Sequence, residues 1–563
     1  MKNFFLFFSF LILFFVSSCQ TPTTTTTTIN AWFNDSNLKL INCDTTNSLT
    51  GVDNWYKDAV FYHIWIKAFN DSNNDGIGDL NGITQKLDYL NDNDPNTNTD
   101  LAINAIWLSP VFECSYKGSN MHGYDTTDYY KINSSFGTEA DLINLLKEAH
   151  KRGIRVIFDF VPNHTSNNNQ WFIDSRNNAN NKRDWFIWDK SPSNSWQFAW
   201  GGGSWSNVWH SYNGSYYYAA FDSSMPDLNF NNIDVRTETA NILIYWFNKG
   251  FDGARLDAVR YLFEDGPGLA ADRPMTHEYC KQLRTVTEKY KLAGYSKMMV
   301  GEIWTDASTI KNYYGDGTNE LNMCFNFPLA YQISNAVTSP STTSINNLNN
   351  VFEVEKNTYP AGYQQAVFLS NHDNVTSRPM TQYSNNAGKV KLASAICILA
   401  PGTPFIYYGN EIGMTGLSGD DINLRQSFTW NSVTTQGQDV NSILSWNKYL
   451  IKAKLKYKSL KTGTYTRINT DNTSVLAFLR KTDTEQTFVV LNFGSSLANV
   501  NLDFSGTGIT EATISQVIGT LNGDNTLVGK ASNFAVNNIP SYGIRVFYIG
   551  SNSEANIATD VIN

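Results

Sequence analysis

The sequence has few charged residues. Asp, Glu, Lys and Arg make up 17% of the 563 residues, and the formal net charge is −9, from 42 basic and 51 acidic side chains. No Lys/Arg-rich run stands out, so nucleic acid is not expected as a partner. Hydrophobic residues reach 41%, which excludes a disordered chain. A surface rich in Asn, Ser, Thr and aromatic residues suits a neutral, hydrogen-bonding ligand such as a sugar.

The N-terminal apolar run is too short for a comfortable membrane span. Met1-Lys2-Asn3 precedes an apolar stretch, 4–16, and small residues lead to Cys19. This order predicts a secretory signal, 1–19. Val16-Ser-Ser-Cys19 resembles a bacterial lipobox, whose Cys becomes the lipidated first residue. We therefore expect a lipid anchor at Cys19 in the cell envelope, at the outer membrane or cell surface, with simple secretion as the alternative.

Cysteine is scarce and unpatterned. Of six cysteines, Cys19 belongs to the predicted anchor, and the remaining odd number shows no Cys-X-X-Cys spacing. Cys324 and Cys397 lie in apolar runs, where a buried free thiol is the simplest interpretation. A disulfide scaffold and a zinc site are not expected.

Eight apolar runs recur along the chain, with amphipathic helical stretches between several of them. Most are almost continuously apolar, which is typical of parallel strands buried on both faces. Eight such strands alternating with helices predict an α/β fold with a closed (β/α)8 TIM barrel. The runs are Val60–Phe69, Ile103–Val111, Arg155–His164, Phe251–Val259, Met298–Trp304, Asn322–Leu329, Gln365–Asp373 and Thr403–Gly413.

Composition also predicts units outside the barrel. A polar stretch rich in Trp, Asn and Gly indicates an inserted subdomain after strand three, and short alternating strands near the end predict a C-terminal antiparallel β-sandwich domain. A Thr-rich stretch after Cys19 is typical of a tether. The expected division is a tether or linker, 20–53, the barrel, 54–164 and 235–459, the inserted subdomain, 165–234, the C-terminal domain, 460–550, and a flexible tail, 551–563.

Ionisable side chains stand at the ends of four predicted strands, where barrel enzymes keep their active sites. One such carboxylate alone is better explained as a helix cap or an ion-pair partner, but four together indicate a site. Asp257, Glu302 and Asp373 are the candidate catalytic residues, because glycosidic cleavage needs an acid, a nucleophile and groups that stabilise an oxocarbenium-like centre. The segments are Asp159-Phe-Val-Pro-Asn163-His164, Gly253-Ala-Arg255-Leu-Asp257, Gly301-Glu302-Ile-Trp304 and Asn371-His372-Asp373.

These segments match, in order and spacing, the four motifs of the α-amylase superfamily, glycoside hydrolase family 13. The resemblance covers about 53–550 and implies that Asp257 is the nucleophile and Glu302 the general acid/base. Asp373 would grip the hydroxyls of the sugar in the cleavage subsite. Arg255 would hold Asp257 ionised, and we expect it to do so at Asp257 and not at Glu302.

Further residues follow from the same resemblance. His164 and His372 would bind sugar hydroxyls, while Asp159 would be a structural support. Met121-His122-Gly123-Tyr124 matches a family loop whose Tyr stacks on the sugar, so Tyr124 and His122 are expected beside the substrate. Arg260 replaces a Lys that commonly touches the leaving-group side.

A fifth motif narrows the resemblance. Met225-Pro-Asp-Leu-Asn229 has a form intermediate between oligo-1,6-glucosidases and neopullulanases, which points to the subfamily that includes starch-degrading lipoproteins. Ala258 follows the predicted nucleophile, as in many α-1,4-acting members. The resemblance thus implies retaining hydrolysis of α-1,4 bonds in starch, maltooligosaccharides or related α-glucans through a glycosyl–Asp257 intermediate.

Two other functions stay open. An exo-acting α-glucosidase, oligo-1,6-glucosidase or transglycosylase on the same site is the second hypothesis. A non-catalytic glycan-binding protein is the third, although such relatives usually lose the nucleophile or the acid/base, and this chain keeps both. A monomer is expected.

An Asx-rich loop after the first strand is a candidate metal site. Oxygen-bearing side chains stand at alternate positions around a glycine turn, as in loops that bind hard cations. The twelfth position is Gly82 and not Glu, so the loop is not an EF-hand. It resembles a calcium loop of the subfamily, and a metal-free Asx turn is the alternative. The implied ligands of structural Ca²⁺ are Asp71, Asn73, Asp75, the carbonyl of Ile77, and Asp79.

Overall fold

The computed structural model describes residues 32–198, 205–509, 514–518 and 534–550. The predicted signal with Cys19, the first part of the predicted tether and the predicted tail lie outside the described residues. Within the described ranges, none of the helices combines the length and the apolar character needed to cross a membrane.

The described strands fall into a barrel, two small sheets and a C-terminal sheet. They are β1 (Phe61–Ile64), β2 (Ala105–Leu108), β3 (Phe112–Cys114), β4 (Thr126–Ile132), β5 (Arg155–Phe160), β6 (Trp188–Asp189), β7 (Trp209–Tyr212), β8 (Ser215–Tyr218), β9 (Gly253–Leu256), β10 (Met298–Gly301), β11 (Met323–Phe325), β12 (Gln365–Val367), β13 (Thr403–Tyr407), β14 (Thr464–Thr470), β15 (Val475–Lys481), β16 (Gln486–Asn492), β17 (Ala498–Asp503), β18 (Ile514–Ile518), β19 (Phe534–Ile539) and β20 (Ile544–Ile549).

The α-helices vary from single turns to five turns. They are α1 (Ile66–Phe69), α2 (Leu80–Gln85), α3 (Leu87–Leu90), α4 (Glu139–Lys151), α5 (Gln170–Arg176), α6 (Trp205–Val208), α7 (Ile233–Asn248), α8 (Pro274–Leu292), α9 (Ala307–Ile310), α10 (Phe327–Thr338), α11 (Thr342–Thr358), α12 (Pro379–Gln382), α13 (Ala387–Leu399), α14 (Asp421–Leu424), α15 (Trp430–Gly437), α16 (Ile443–Lys456) and α17 (Lys458–Thr462).

A closed parallel barrel forms the centre of the molecule and confirms the predicted fold class. Its strands run in the order β1-β13-β12-β11-β10-β9-β5-β2 around the barrel. Each corresponds to one of the eight apolar runs but is shorter, because the chain turns into a loop or helix at the C-terminal end of the run. Every residue of β5 is buried, which explains why the runs are apolar throughout and do not alternate.

The chain leaves the barrel after β5 and returns at α7. The excursion contains α5 and a three-stranded antiparallel sheet in the order β6-β8-β7. It is fixed to the barrel at Asp227, which accepts hydrogen bonds from the Asn163 amide and from the backbone N–H of Ala220. Asp227 is fully buried, and its hydrogen bond with Asn163 ties the inserted subdomain to the loop that follows β5.

The C-terminal strands form an antiparallel sheet, as predicted, in the order β18-β20-β16-β15-β14-β17-β19. Strand β14 pairs with β15 along most of its length and with β17 at its end. Phe534 of β19 contacts Phe488 of β16 and Phe547 of β20, at ring-centroid distances of 5.8 and 5.4 Å. Strands far apart in the pairing order therefore pack face to face, and the sheet folds over its own apolar core.

Part of the stretch that composition assigned to a tether lies against the barrel. Thr237, Asn241 and Asn248 lie on one side of α7 and hydrogen-bond the backbone of residues 34–42. The buried Arg236 donates to the Trp32 carbonyl and also to the carbonyl of Phe230, where the inserted subdomain ends. We call residues 32–53 the N-terminal strap, and side chains of α7 hold its backbone groups as a neighbouring strand would.

Candidate active site

A cavity of about 740 Å³ opens where the barrel strands β9, β10 and β12 end. All three candidate catalytic carboxylates line this cavity. The structure also brings four of the predicted substrate-binding residues to the cavity wall: His122, Tyr124, His164 and Arg260. Arg255 and His372 are buried and contact the wall residues from behind.

Local backbone geometry sets Asp257 beside Glu302. Asp257 follows β9 and donates its backbone N–H to the carbonyl of Phe160 at 2.9 Å, which extends the pairing with β5. Ala258 then adopts a left-handed conformation with φ 49°, a strained geometry for a residue with a Cβ. The turn presents the Ala258 N–H to Glu302 Oε2 at 3.1 Å. The strain is therefore located where the two carboxyls meet.

One guanidinium joins three carboxyl groups beneath the cavity. Arg255 Nη1 donates to Asp257 Oδ1 at 2.5 Å and to Asp159 Oδ1 at 2.8 Å. Arg255 Nη2 lies 3.0 Å from Glu302 Oε2. The expectation that Arg255 would act on Asp257 and not on Glu302 is therefore wrong, because its guanidinium contacts both carboxyls. The contact with Glu302 could not be read from the sequence, because Glu302 follows the neighbouring strand, β10.

Burial governs the protonation of this cluster. It raises the pKa of Asp257 well above its usual range, with Arg255 opposing the shift and Glu302 and Asp159 adding to it. Burial also raises the pKa of Asp159 to about 6 against the effect of Arg255. The pKa of Asp373 rises to about 7, again through burial first and then through repulsion by Glu302. Several like charges compete for one cation, so protons stay bound well above the pH at which an exposed Asp ionises.

Tyr124 takes part in a hydrogen-bonded chain as well as in ring stacking. Its hydroxyl donates to Asp159 Oδ2 at 3.0 Å and lies 2.5 Å from His372 Nε2. The same nitrogen of His372 is 3.1 Å from Asp373 Oδ2. The rings of Tyr124 and His372 are nearly parallel, 5.4 Å apart. Tyr124 therefore links the arginine-bound support Asp159 to the carboxylate at the end of the seventh barrel strand.

The predicted histidines are neutral. Burial lowers the pKa of His164 to about 3 and lowers that of His372 well below its usual value. His164 Nε2 has no hydrogen-bond partner among the described residues, although His164 lines the cavity. His122 accepts the backbone N–H of Tyr124 through Nδ1. Neutral rings offer both a donor and an acceptor nitrogen, which suits hydroxyl groups better than anions.

Arg260 is engaged by protein groups. Its Nε and Nη2 donate to the two oxygens of Asp272 at 2.9 and 2.5 Å, and its Nη1 donates to the Trp304 carbonyl at 2.6 Å. Its charge is thus matched by Asp272. Arg260 lines the cavity as predicted, and it also fixes the backbone of Trp304.

Sequence reasoning missed a polar group on the side of the cavity next to Asp373. Arg425 Nη2 lies 3.5 Å from Asp373 Oδ1 and 3.1 Å from Asp421 Oδ2. Arg425 Nε donates to the His372 carbonyl, and Asn374 and Asp421 complete this wall. The available signal for Asp421 and Arg425 was their position after the last barrel strand, β13, and for Asn374 its position directly after the Asn371-His372-Asp373 segment.

The loop 71–79 is held by its own hydrogen bonds. Asp71 accepts the backbone N–H groups of Asn73, Asn74 and Gly76, and Asp79 accepts those of Ser72 and Gly82. Among the residues described, no group of three or more His, Cys, Asp or Glu side chains gathers closely enough to hold a metal ion. The donor set consists of oxygens only, which fits a hard cation in its chemistry.

Comparisons with known proteins agree with this fold. A family model described as the catalytic domain of alpha amylase matches residues 63–460. "Alpha-amylase 3" of Dictyoglomus thermophilum is 35% identical over 468 residues, 78% of this chain and 85% of the relative. The oligo-1,6-glucosidase of Heyndrickxia coagulans is 34% identical over 409 residues, 66% of this chain and 70% of the relative. The crystal structure of the alpha-amylase from H. orenii superimposes with a TM-score of 0.76 at 31% identity, covering 88% of this chain and 99% of that one.

Proposed function

This chain belongs to the α-amylase family of glycoside hydrolases, and we propose that it hydrolyses α-1,4-glucosidic bonds in starch, maltooligosaccharides or related α-glucans with retention of configuration. The observation that carries the proposal is the meeting of Asp257 and Glu302 on adjacent nitrogens of the Arg255 guanidinium. Carboxyls that share one guanidinium are close together. Retaining enzymes keep theirs roughly 5 Å apart, whereas inverting enzymes leave room for a water between them.

In the proposed reaction, Glu302 protonates the leaving oxygen while Asp257 attacks the anomeric carbon. The glycosyl–Asp257 ester is then hydrolysed by water that Glu302 deprotonates. Arg255 stabilises the ionised form of Asp257 and, after proton transfer, that of Glu302, because it contacts both. Because Arg255 contacts both carboxyls, it can stabilise whichever of them is negatively charged at each step of the proposed reaction.

The sugar in the cleavage subsite would be held by Asp373 and by neutral histidines. Asp373 contacts His372 and Arg425 and lines the cavity. In its ionised form, its carboxylate would accept hydrogen bonds from two neighbouring hydroxyl groups of the sugar. His164 lines the cavity, and its buried Nε2 has no hydrogen-bond partner among the described residues. The Tyr124 ring, which is nearly parallel to that of His372 and lines the cavity, would provide an apolar face for a pyranose.

One observation favours the second hypothesis, an exo-acting α-glucosidase. The ion pair of Asp421 with Arg425 stands beside Asp373 at the cavity wall, and such a pair would limit the room for further sugars beyond Asp373. The two functions differ in product pattern, so one experiment separates them.

The test uses the chain from Gln20 onward, with calcium present, acting on maltoheptaose and amylose. Products are followed over time by chromatography, with Asp257→Asn as the matched control. Early release of a spread of maltooligosaccharides is the expected result. Glucose alone, or products longer than the substrate, would replace the proposal with an exo-acting enzyme or a transglycosylase. The absence of any cleavage by the unaltered protein would contradict both.

We also propose that Ca²⁺ binds the loop 71–79 and stabilises it. Support comes from the oxygen-only donor set and from the tight turn at Asn74 and Gly76, where φ is 63° and 88°. The named ligands would be Asp71, Asn73, Asp75, Asp79 and the Ile77 carbonyl. Calcium in hundredfold excess over its dissociation constant would add about 2.7 kcal/mol of stability.

The calcium proposal is tested by thermal unfolding in Ca²⁺ and in EGTA. Asp75→Asn keeps the side-chain shape and should reduce the calcium-dependent gain. Asp94→Asn is the matched control, since Asp94 is an exposed Asp that accepts a backbone N–H in another Asx-rich loop. Equal unfolding temperatures in Ca²⁺ and EGTA would reject the site.

For the cell, we propose a monomeric enzyme held in the cell envelope by acyl chains at Cys19. The support is the signal-like N-terminal sequence with its lipobox. Metabolic labelling with a radioactive fatty acid tests the anchor, with Cys19→Ser as the control that should lose the label. Analytical ultracentrifugation of the soluble form tests the monomer.

A further inference from the structure

Helix α11 ends with a carboxyl group that is buried against the barrel. Glu355, in the last turn of α11, is 1% exposed. Its Oε1 accepts a hydrogen bond from the side-chain amide of Asn326, which follows β11, at 2.6 Å. Its Oε2 has no hydrogen-bond partner among the described residues. An ionised carboxylate would thus be buried with a neutral amide as its described partner, which costs far more than burying the protonated acid.

Polar atoms of two neighbouring side chains also lack partners. The Tyr359 hydroxyl, directly after α11, and both polar side-chain atoms of Gln365, at the start of β12, are buried and have no hydrogen bond within the described part of the chain. Burial raises the pKa of Tyr359, the Glu355 carboxyl adds to the shift and the Gln365 side chain opposes it, so the three groups lie near one another. A protonated Glu355 brings an O–H donor to this cluster, whereas an ionised one brings acceptors only.

The tyrosines and the cysteine that face this cluster are uncharged at neutral pH. Burial raises the pKa of Tyr314, which precedes β11, and of Tyr363, which precedes β12, and the Glu355 carboxyl adds to both shifts. Burial also raises the pKa of the Cys324 thiol in β11. A cation, Arg480 of β15, acts on Tyr363, but its hydrogen bonds go to main-chain carbonyls. The charge of an ionised Glu355 would therefore stay uncompensated.

We propose that Glu355 makes the attachment of α11 to the barrel depend on pH: the protonated acid holds the end of the helix in place, and ionisation loosens it. The same helix also binds the C-terminal sheet. Asn349 accepts the Tyr465 hydroxyl at 2.7 Å, and Asn346 accepts from Arg467 at 2.9 Å. Loosening α11 therefore weakens the contact between the barrel and the C-terminal sheet as well.

Raising the pH should destabilise the folded protein through this group. Burial raises the pKa of Glu355 from 4.5 to about 8, with the Asn326 bond opposing the shift. Between these values the folded protein keeps a proton that the unfolded chain has lost. The stabilising effect is therefore complete below about pH 4.5 and is lost as the pH rises through about 8. Over that interval Glu355 alone lowers the folding equilibrium constant about tenfold for each pH unit.

The first test measures unfolding by a chemical denaturant at about pH 6.5 and about pH 8.5, in the unaltered protein and in Glu355→Gln. Gln keeps the shape of the neutral acid and cannot ionise, so the difference between the two proteins isolates Glu355 from every other titrating group. The folding equilibrium constant of the unaltered protein, divided by that of the variant, should fall about 20-fold from the lower to the higher pH. Glu288→Gln, at a side chain that is 43% exposed beside Arg284, is the matched control and should show no such fall. An equal dependence on pH in the unaltered protein and in Glu355→Gln would overturn the proposal.

The second test shows where the protein loosens. Cys324 is fully buried and pairs in register with Gln365, so it reacts with iodoacetamide when this region opens. Its labelling rate in the unaltered protein, relative to that in Glu355→Gln, should rise severalfold between the same two pH values, as read by peptide mass spectrometry. Should the variant not fold, the unaltered protein suffices, because labelling of Cys324 should then rise relative to that of Cys397, a buried thiol of α13. Labelling of the two thiols that stays in proportion would overturn the proposal.

Discussion

Two of the regions in which the described part of the molecule buries positive charge balance that charge in opposite ways. In the active site, Arg255 is surrounded by the carboxyls of Asp159, Asp257 and Glu302. At the interface between the barrel and the C-terminal sheet, Arg480 and Lys454 are as deeply buried. Their hydrogen bonds go to main-chain carbonyls, those of residues 399, 400, 402 and 463.

The two kinds of partner, carboxylates and carbonyls, suit different roles. Carboxylates bind protons, so a cation shared among several of them leaves their pKa values open to small changes in charge or ligand. Carbonyls do not titrate, and those at the end of α13 carry the negative end of the helix dipole. Burial lowers the pKa of Arg480 to about 10, which still leaves it charged at neutral pH. The active site is thus suited to moving protons and the interface to holding two domains together.

The largest expected effect is on catalysis without loss of fold. Asp257→Asn should reduce kcat on maltoheptaose by on the order of 10⁴-fold or more, because no ester forms. Its unfolding temperature should stay equal or rise, since one repelling carboxylate is gone. Asp265→Asn, at an exposed pair with Arg273, is the control. Retention of substantial activity would remove Asp257 from the role of nucleophile.

A variant at the interface should instead lose stability and keep its activity. Arg480→Met leaves the carbonyls of Gly463 and Leu399 buried without a donor, so unfolding should become easier by about 1–3 kcal/mol with kcat/KM unchanged. Lys461→Met, at an exposed pair with Asp58, should cost less than about 1 kcal/mol. Chemical denaturation measures both. Equal losses of stability in the two variants would show that burying Arg480 against carbonyls stabilises the protein no more than the ion pair of Lys461 does.

The N-terminal strap is held by neutral side chains of α7 as well as by Arg236. Asn248 accepts from the Asn42 N–H and the Tyr290 hydroxyl and donates to the Leu40 carbonyl. Asn248→Ala should destabilise the protein by about 1 kcal/mol, again with unchanged kcat/KM. Asn357→Ala, which removes one exposed bond to the Glu353 carbonyl within α11, is the matched control. Equal stabilities of the two variants would mean that the strap adds nothing.

The smallest effect tests how easily the carboxylate cluster is tuned. Activity falls on the acid side as Asp373 and Asp257 take up protons, and both pKa values are raised. Asp421 repels Asp373 and occupies Arg425. Asp421→Asn should therefore lower the pKa of Asp373 and move the acid limb of kcat/KM down by a few tenths of a pH unit. A shift to higher pH, seen in profiles from about pH 4 to pH 8, would contradict this electrostatic account.

Much of the fold follows from local sequence. Mostly apolar runs such as those containing β5 and β9 favour strands buried on both faces, where the few charged side chains, such as Asp159 and Arg255, must find buried partners. The carboxylates at the strand ends are equally local signals, because strand direction alone brings the ends of parallel strands to one face. The prediction that Asp257, Glu302 and Asp373 share one site needed no more than this rule and the family resemblance.

Contacts between distant segments could not be predicted from local sequence patterns. The strap hydrogen-bonds residues about two hundred positions later, and composition gives no sign of that pairing, since Asn and Thr are equally typical of a tether. Arg425 carries no motif that marks its distance to Asp373. That distance depends on how loops from different strands lie across the barrel mouth.

The barrel, the antiparallel C-terminal sheet and the ionisable residues at the strand ends could be predicted from local sequence, because periodicity and strand direction are local properties. The contact of Arg255 with Glu302 as well as Asp257 became visible only in the folded molecule. The same is true of the hydrogen bonds of Arg480 and Lys454 with carbonyls. Each of these depends on atoms brought together from separate segments by packing, and packing is a property of the whole chain.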